Sequence, residues 1–284
     1  MLYNELREQA VRLLKATPPP RSPEQFDTPE WDARLLLEYA SGLDRARLFL
    51  ESGNPAPANV VRRYRRCIRR RAAGEPIAYI TGTRAFYELD FDVTPAVLIP
   101  RADTETLVEA ALGAAAPGDP ICLLDLCTGS GCVAASVKNA RPRWNIAASD
   151  ISAAALKVAR RNFRKHHLEI KTYRRDLLKK LPGTYDIITA NPPYISEEEM
   201  HLLRPDLREP ETALTDGRNG LSIIYRLLEE APSSLKRGGR LFIEAAPHQM
   251  KNIRAKMEEL CYNQIGIRKD AANRERVIYG NIDQ

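Results

Sequence analysis

The sequence predicts an α/β protein: an open, mostly parallel sheet with helices on its faces, preceded by a small all-helical N-terminal domain and a β-hairpin. Three observations predict it. From about residue 104, apolar runs alternate with helical stretches: ICLLDL (121–126), WNIAASD (144–150), DIITAN (186–191) and RLFIEA (240–245). Buried strands spaced by helix-length segments are the pattern of a parallel sheet with crossover helices. Before about residue 79 there is no strand pattern, only helical stretches broken by proline and glycine. Between the two, RAFYELDFDVTPAVLI (84–99) alternates apolar and polar residues and stops at Pro100, which reads as a strand or hairpin.

The elements follow in order. Leu2, Leu6, Leu13 and Leu14 mark a first helix, and TPPPRSP (17–23) ends it, because proline lacks an N–H and clashes with the preceding turn. Thr28 as N-cap and Pro29 at the first helical position open a second, which Gly42 closes. The run RRYRRCIRRR, Arg62 to Arg71, holds seven arginines and no acid, with Arg62, Arg65, Arg66 and Arg69 on one helical face. Two readings fit it: a solvated face, or a docking surface for a partner that is acidic or works beside ribosomal RNA. Beyond the hairpin, a third strand is expected just before Asp176, and RVIYG (276–280) is a last one. The expected division is therefore 1–78 helical, 79–103 hairpin linker and 104–284 α/β.

Composition limits the function classes. Of 284 residues, 44% are hydrophobic and 28% charged, as in a soluble globular protein with a sizeable core. No apolar run approaches the ~20 residues that span a bilayer. The N-terminal MLYNELREQAVRLLKAT holds acids and lacks a signal-peptide core, so a cytoplasmic protein is expected. A net charge of +6 and a pI of about 9.1 permit an acidic or nucleic-acid-associated partner without requiring one. Five cysteines, an odd number, argue against a disulfide framework and for a reducing compartment. Cys122, Cys127 and Cys132 are evenly spaced, but they fall on strand, loop and helix start with no histidines clustered near them. No metal site is expected.

The first motif is LLDLCTGSGCVAASV, Leu123 to Val137. A buried strand runs into a glycine-bearing turn, Cys127-Thr128-Gly129-Ser130-Gly131, and a helix starts after it. Gly129, Gly131 and Ala134 fit the G-x-G-x-x-A spacing, in which glycine lets a cofactor approach the backbone and the helix N-terminus offers free amides. Asp150 follows twenty-one residues after Gly129, at the end of the next strand, where an acid accepts hydrogen bonds from ribose hydroxyls. S-adenosylmethionine and NAD both carry that ribose, so methyl transfer and hydride transfer remain open at this point. Asp125, ending the first strand, could face the cofactor's amino group, and Asp176 and Leu177 fall where an adenine would lie.

The second motif decides between them. Asn191-Pro192-Pro193-Tyr194 follows the apolar run DIITA, at the carboxyl edge of a parallel strand, where ligands of open α/β sheets bind. An amide or exocyclic amino nitrogen is a poor nucleophile because its lone pair is delocalised. A site can help by accepting both of its hydrogens in a fixed direction. The Asn191 side-chain oxygen and the Pro192 carbonyl can be those acceptors, so that catalysis is mostly positioning and fixed dipoles. Pro193 stiffens the turn. Tyr194 would pack on the planar substrate group and favour a cationic sulfonium by roughly 0.5–2 kcal/mol.

NPPY is the motif of amino- and amide-directed S-adenosylmethionine methyltransferases, whose catalytic domain is Rossmann-like. GEPIAYITG (74–82), FYELDFDVTPAVLIPRADTETLV (86–108), LREPETAL (207–214), DGRNGLSIIYRLL (216–228) and NRERVIYG (273–280) extend the likeness. Together they resemble the release factor glutamine methyltransferases, the PrmC or HemK family, over nearly the whole chain. The resemblance implies a helical substrate-docking domain joined by a hairpin to a methyltransferase domain. It implies cofactor contacts from 127–131 and Asp150, with Asp176, Leu177 and Asn191 nearby, and substrate contacts from 191–194. The implied reaction moves a methyl group from S-adenosylmethionine to the side-chain nitrogen (N5) of the glutamine in a Gly-Gly-Gln loop of class 1 peptide chain release factors. A cytoplasmic monomer with no direct nucleic-acid substrate is expected. This chain differs from the family at Cys127, where glycine is usual, at Leu177, where an aromatic residue is common, and in PRADTE for PRPETE.

Alternative substrates are a ribosomal-protein glutamine and an adenine-N6 in nucleic acid. The latter needs base flipping and a target-recognition region, and no added domain of that size follows Tyr194. A nicotinamide oxidoreductase shares the glycine loop but leaves NPPY unexplained. An RNA-binding protein built on the arginine run explains neither motif.

Overall fold

The structure is a computed structural model that describes residues 1–17, 28–203 and 208–282. TPPPRSP, apart from Thr17, and Leu207 of the LREPETAL segment lie outside the described residues. The chain falls into two compact units, one built on Met1–Thr83, the other on Arg84–Leu202 and the chain from Glu209 onward. Among the described residues no helix is long and apolar enough to cross a membrane.

The first unit is helical: α1 (Tyr3–Ala16), α2 (Pro29–Ser41), α3 (Arg45–Leu50), α4 (Ala58–Ala72) and α5 (Ile77–Thr81). The caps of α2 are those the sequence predicts. The Thr28 hydroxyl accepts from the Trp31 N–H at 3.2 Å, Pro29 is the first helical residue, and Gly42 closes the helix at φ 73°. Val60, Tyr64, Cys67 and Ile68 of α4 turn one face into a core with Leu6, Leu14 and Leu36.

The same helical period splits the arginine run. Arg62, Arg65, Arg66 and Arg69 are exposed, whereas Arg71 is buried and its Nε donates to the Asp32 carboxylate of α2 at 2.6 Å. Arg70 pairs with Glu75, and Arg63 stacks on Tyr39. Breaking a buried pair leaves one charge uncompensated. Arg71→Met is therefore expected to cost about 3–5 kcal/mol in urea unfolding, while Arg62→Met stays within about 0.5 kcal/mol.

The second unit opens with a two-stranded hairpin, β1 (Thr83–Phe86) and β2 (Leu89–Asp92). The alternation in 93–99 is not a strand: Val93, Val97 and Ile99 bury their side chains from an irregular segment. After it come α6 (Glu105–Leu112), β3 (Cys122–Leu126), α7 (Cys132–Ala140), β4 (Asn145–Asp150), α8 (Ala153–Lys165), β5 (Lys171–Arg174), β6 (Tyr185–Ala190), α9 (Glu197–Leu203), α10 (Ser222–Glu230), β7 (Leu235–Glu244), α11 (Met250–Glu259), β8 (Asn263–Lys269) and β9 (Glu275–Asn281). The sheet order is β5-β4-β3-β6-β7-β9-β8. The first five strands are parallel, β9 runs antiparallel to β7, and β8 antiparallel to β9.

Successive strand residues point to opposite faces, so the sheet is buried on both. Leu124, Ile188 and Leu241 pack with Ile224 and Leu227 of α10 on one side. Leu123, Ile187 and Phe242 pack with Leu107 of α6 and Ala134 of α7 on the other. Chain order reverses at β3, with β4 on one side and β6 on the other. Open α/β sheets bind ligands at the carboxyl ends of the strands around such a reversal. Both sequence motifs leave the sheet there.

Candidate cofactor and substrate site

At those strand ends lies a cavity of about 330 Å³, within the roughly 300–1,000 Å³ of small-molecule sites. Cys127, Thr128, Gly129, Ser130 and Asp150 line one part of it, Asp176 and Leu177 another, and Asn191 and Pro193 a third. Gly131, Pro192 and Tyr194 do not line it. Further wall comes from residues with no motif of their own, among them Val97, Pro100, Arg101, Ala213 and Ile223.

The loop after β3 is built for close approach. Cys127 has φ 54° and Gly129 φ 55°, both left-handed. That conformation disfavours a side chain, so glycine would fit at position 127 with less strain than cysteine. Added Cβ atoms show that the two loop glycines serve different ends. At Gly129 a Cβ would meet only the Cys127 carbonyl, at 3.9 Å. At Gly131, φ 82°, it would lie 2.5 Å from the Phe163 ring and 3.1 Å from Ala159 of α8. Gly131 thus serves internal packing, not open approach to a ligand. It also precedes α7, whose N-cap position makes no side-chain capping hydrogen bond.

Asp150 ends β4. Its Oδ2 accepts from the Gly129 N–H at 2.9 Å and its Oδ1 from the Ser152 N–H at 2.8 Å. A carboxylate offers about four lone-pair positions, so acceptor capacity remains. Burial raises its pKa, against the pull of these backbone hydrogen bonds. Ser130 and Ser149 also line the cavity, and their buried hydroxyls have no hydrogen-bond partner among the described residues. Asp176 is ion-paired to Arg226 of α10. Leu177, at φ 48°, is buried in the core beneath.

Asp125 also lines the cavity, with part of its acceptor capacity already engaged. It is buried, and it accepts from the Thr128 hydroxyl at 2.6 Å and the Thr189 hydroxyl at 2.9 Å. Burial pushes its pKa up to about 7 against those bonds. It ties β3, the glycine loop and β6 together.

Asn191 follows β6 directly. Its Nδ2 donates to the Thr104 hydroxyl at 3.2 Å, and its Oδ1 has no protein partner among the described residues. The Pro192 carbonyl likewise accepts no protein hydrogen bond there. The Tyr194 hydroxyl is 3.4 Å from Oε1 of Glu244, a fully buried carboxyl at the end of β7. Its backbone carbonyl accepts from Gln249 Nε2 at 2.8 Å, and the same amide donates to the Gly220 carbonyl at 3.1 Å. Gly220, φ 76°, lies so close that an added Cβ would overlap the Tyr194 carbonyl.

The remaining supports come from other segments of the extended motif. Asp216 accepts from the N–H groups of Arg218, Gly220 and Ser222. Against burial, which alone would raise it, those amides hold its pKa below the usual carboxylate range. Glu209 accepts from the Ile99 N–H at 2.8 Å and pairs with Arg101, which fixes that stretch of cavity wall. Asn162 of α8 joins the hairpin to the glycine loop. Its Oδ1 accepts from the Asp92 N–H at 2.7 Å, and its Nδ2 donates to the carbonyls of Asp92 (3.0 Å) and Ser130 (2.8 Å). Asn162, Gln249 and Glu244 carry no local motif. Only the position of Glu244 at the carboxyl end of an apolar run, RLFIE, hints that it faces the site.

Known proteins were compared with the chain. A family model described as the PrmC N-terminal domain matches residues 5–82, and one described as the methyltransferase small domain matches residues 106–207. The release factor glutamine methyltransferase of Bordetella pertussis is 40% identical, covering 89% of this chain and 94% of its own. That of Cereibacter sphaeroides is 35% identical, covering 95% and 97%. Among solved structures, a methyltransferase from Pyrococcus furiosus shares the fold, with a TM-score of 0.54 at 17% identity over 70% of this chain and 92% of that one. Identity at this level, sustained across nearly the whole of both chains and through the helical and α/β parts alike, shows that this chain is a methyltransferase and belongs to the release factor glutamine methyltransferase family.

Proposed function

We propose that the protein transfers a methyl group from S-adenosylmethionine to the N5 amide nitrogen of the glutamine in the Gly-Gly-Gln loop of class 1 release factors. The observation that carries this reading is a single cavity walled by the glycine loop and Asp150 at one part and by Asn191 at another.

The residues fit the cofactor. Asp150 has acceptor capacity for ribose hydroxyls, and Ser130 and Ser149 bring unpartnered hydroxyls. Cys127, Thr128, Gly129 and Ser130 present backbone at an open surface, supported from below by Gly131. Asp176 and Leu177 supply the wall for the adenine, with aliphatic contact from Leu177 in place of aromatic stacking. When bound, S-adenosylmethionine supplies an electrophilic methyl on a sulfonium and leaves as S-adenosylhomocysteine.

The chain's own residues do the rest by positioning. The Asn191 Oδ1 and the Pro192 carbonyl accept the two hydrogens of the substrate amide and hold its plane. Pro193 stiffens the turn, and Tyr194, anchored through its carbonyl by Gln249, holds the turn from behind the cavity wall. As the N–CH3 bond forms, the amide nitrogen becomes cationic and then releases one hydrogen as a proton. The flanking glycines of the substrate loop let an extended chain enter a narrow site. Residues 1–78 would dock the release factor, 79–103 would link, and 104–284 would carry the chemistry, in a protein acting as a monomer without a nucleic-acid substrate.

The test is methyl transfer from labelled S-adenosylmethionine to a purified release factor and to the same factor with its Gly-Gly-Gln glutamine changed to alanine. Label on the native factor alone is expected. Label on neither, with cofactor binding intact, would move the substrate to a ribosomal protein or a nucleic-acid amino group.

A further inference from the structure

Because β9 runs antiparallel to β7, its first residues stand where the parallel strands end. Val277 is opposite Glu244, and the Arg276 carbonyl accepts from the Ala245 N–H at 3.0 Å. The segment NRERVIYG thereby brings Arg274 and Arg276 to the sheet edge that carries the cavity. Both arginines close on one carboxylate. Arg274 Nη2 donates to the two oxygens of Asp103 at 2.9 and 3.0 Å, and Arg276 Nη2 lies 2.9 Å from Oδ2 of the same group. Asp270, which opens the β8–β9 turn, accepts from Arg274 Nε at 2.9 Å and from Arg276 Nη2 at 3.3 Å. Its other oxygen accepts from the N–H groups of Ala272 and Arg274. Two acids thus balance two bases, and the arginines are fixed from their own side. What they grip is the three-residue turn Ala102–Thr104 before α6, closed by the Thr104 N–H on the Arg101 carbonyl at 3.1 Å. Arg101 and Thr104 line the cavity and Asp103 does not. The inner side of that turn meets Asn191, whose Nδ2 donates to the Thr104 hydroxyl.

We propose that Asp103 is a positioning residue for methyl transfer: gripped by Arg274 and Arg276, it sets the turn that brings the Thr104 hydroxyl to the Asn191 amide nitrogen, and so keeps the Asn191 oxygen toward the substrate amide. This rests on the role proposed above for Asn191. A single ion pair on a partly exposed group holds little, because both side chains must be ordered and water screens the charges. Three contacts from two arginines, each arginine anchored on Asp270, form a network that leaves the turn far less freedom. The other end of the same wall is pinned by Glu209, through the Ile99 N–H and Arg101. The need for this rigidity is local. Asn191 has one side-chain hydrogen bond among the described residues, the one to Thr104, and catalysis by positioning is sensitive to small displacements. The grip is also separable from the cofactor's supports, since the contact of Gly129 with Asp150 involves none of these groups. Loss of the Asp103 carboxylate leaves both arginines on Asp270, so Arg276, 8% exposed, keeps a counter-charge and the fold is expected to survive.

The test measures kcat, KM for a purified release factor, Kd for S-adenosylmethionine and Tm in the full-length protein. The variants are Asp103→Ala, Arg274→Gln, Thr104→Val, Asn191→Ala and the double change of Asp103→Ala with Thr104→Val. Asp103→Ala is expected to lower kcat on the order of tenfold, the effect of one displaced hydrogen bond. KM and Kd should stay near those of the parent. Arg274→Gln, which leaves Arg276 on Asp103, should give a smaller loss of the same kind. Because Asp103 acts through Thr104, Asp103→Ala should cause no further loss in the Thr104→Val background, whereas independent effects would multiply. A merely structural ion cluster would lower Tm without that dependence on Thr104. The inference is overturned by parental kcat in Asp103→Ala or in Thr104→Val, by losses that multiply in the double change, or by a loss confined to KM or Kd. Should Asp103→Ala fail to fold, Arg274→Gln alone and combined with Thr104→Val reads the same coupling. If Asn191→Ala is itself fully active, the reading of the site fails. If Asn191→Ala is inactive beside a fully active Asp103→Ala, only the present inference fails.

Discussion

Asn191→Ala is expected to bind S-adenosylmethionine with little change in Kd and to transfer methyl groups on the order of 10²–10³-fold more slowly, the loss seen when one preorganised polar contact to a reacting group is removed. The separation of the two effects follows from the fold. The glycine loop leaves β3 and Asp150 ends β4, and their mutual contact, Gly129 N–H to Asp150, does not involve Asn191. Asn191 instead leaves β6, with its amide nitrogen committed to Thr104 and its oxygen uncommitted. Truncation thus removes an acceptor aimed at the substrate while leaving the cofactor's supports in place. Equilibrium titration with the cofactor and single-turnover methyl transfer measure the two quantities independently. A variant with intact transfer would show that NPPY does not hold the amide.

The second large effect falls on the cofactor. Asp150→Ala is expected to weaken S-adenosylmethionine binding on the order of 100-fold, because hydrogen bonds to a charged group contribute about 1.5–3 kcal/mol each and roughly 1.4 kcal/mol is tenfold in affinity. The side chain also accepts from Gly129 and Ser152, so its loss loosens the glycine loop as well as the ribose contact. The pH dependence has a definite sign. Burial raises the Asp150 pKa, and a protonated carboxyl offers fewer acceptors. Cofactor affinity should therefore fall as pH is lowered through that titration, and Asp150→Asn should flatten the dependence. Isothermal titration across a pH series measures it, and equal affinity in Asp150→Ala would remove the residue from the site.

Much of this site is legible in the sequence because its chemistry is local. An apolar run ending in a glycine turn, an acid at the end of the next strand, and NPPY after DIITA each declare a strand end, and the parallel sheet brings those ends together. The caps of α2 are equally local, with Thr28, Pro29 and Gly42 each acting within a few residues. The supports are not legible, because each depends on a partner distant in sequence. Asn162 reaches Asp92 and Ser130, Gln249 reaches Tyr194, and Thr104 reaches Asn191. Gly131 is recognisable as a motif glycine, but its reason, the Phe163 ring of α8, is tertiary. β8 was not anticipated because NQIGIRK has neither a buried run nor clean alternation. It is an edge strand, and Gly266 makes room there for the Tyr279 ring. The arginine run reads as uniform charge, yet Arg71 is core because Asp32 waits opposite it on α2.

The most direct measurement is tandem mass spectrometry of a release factor after incubation with the protein and S-adenosylmethionine. One added methyl group on the side-chain nitrogen of the Gly-Gly-Gln glutamine is the predicted result. A methyl group on any other residue, or on the backbone of that loop, would contradict the assignment of NPPY to a glutamine amide.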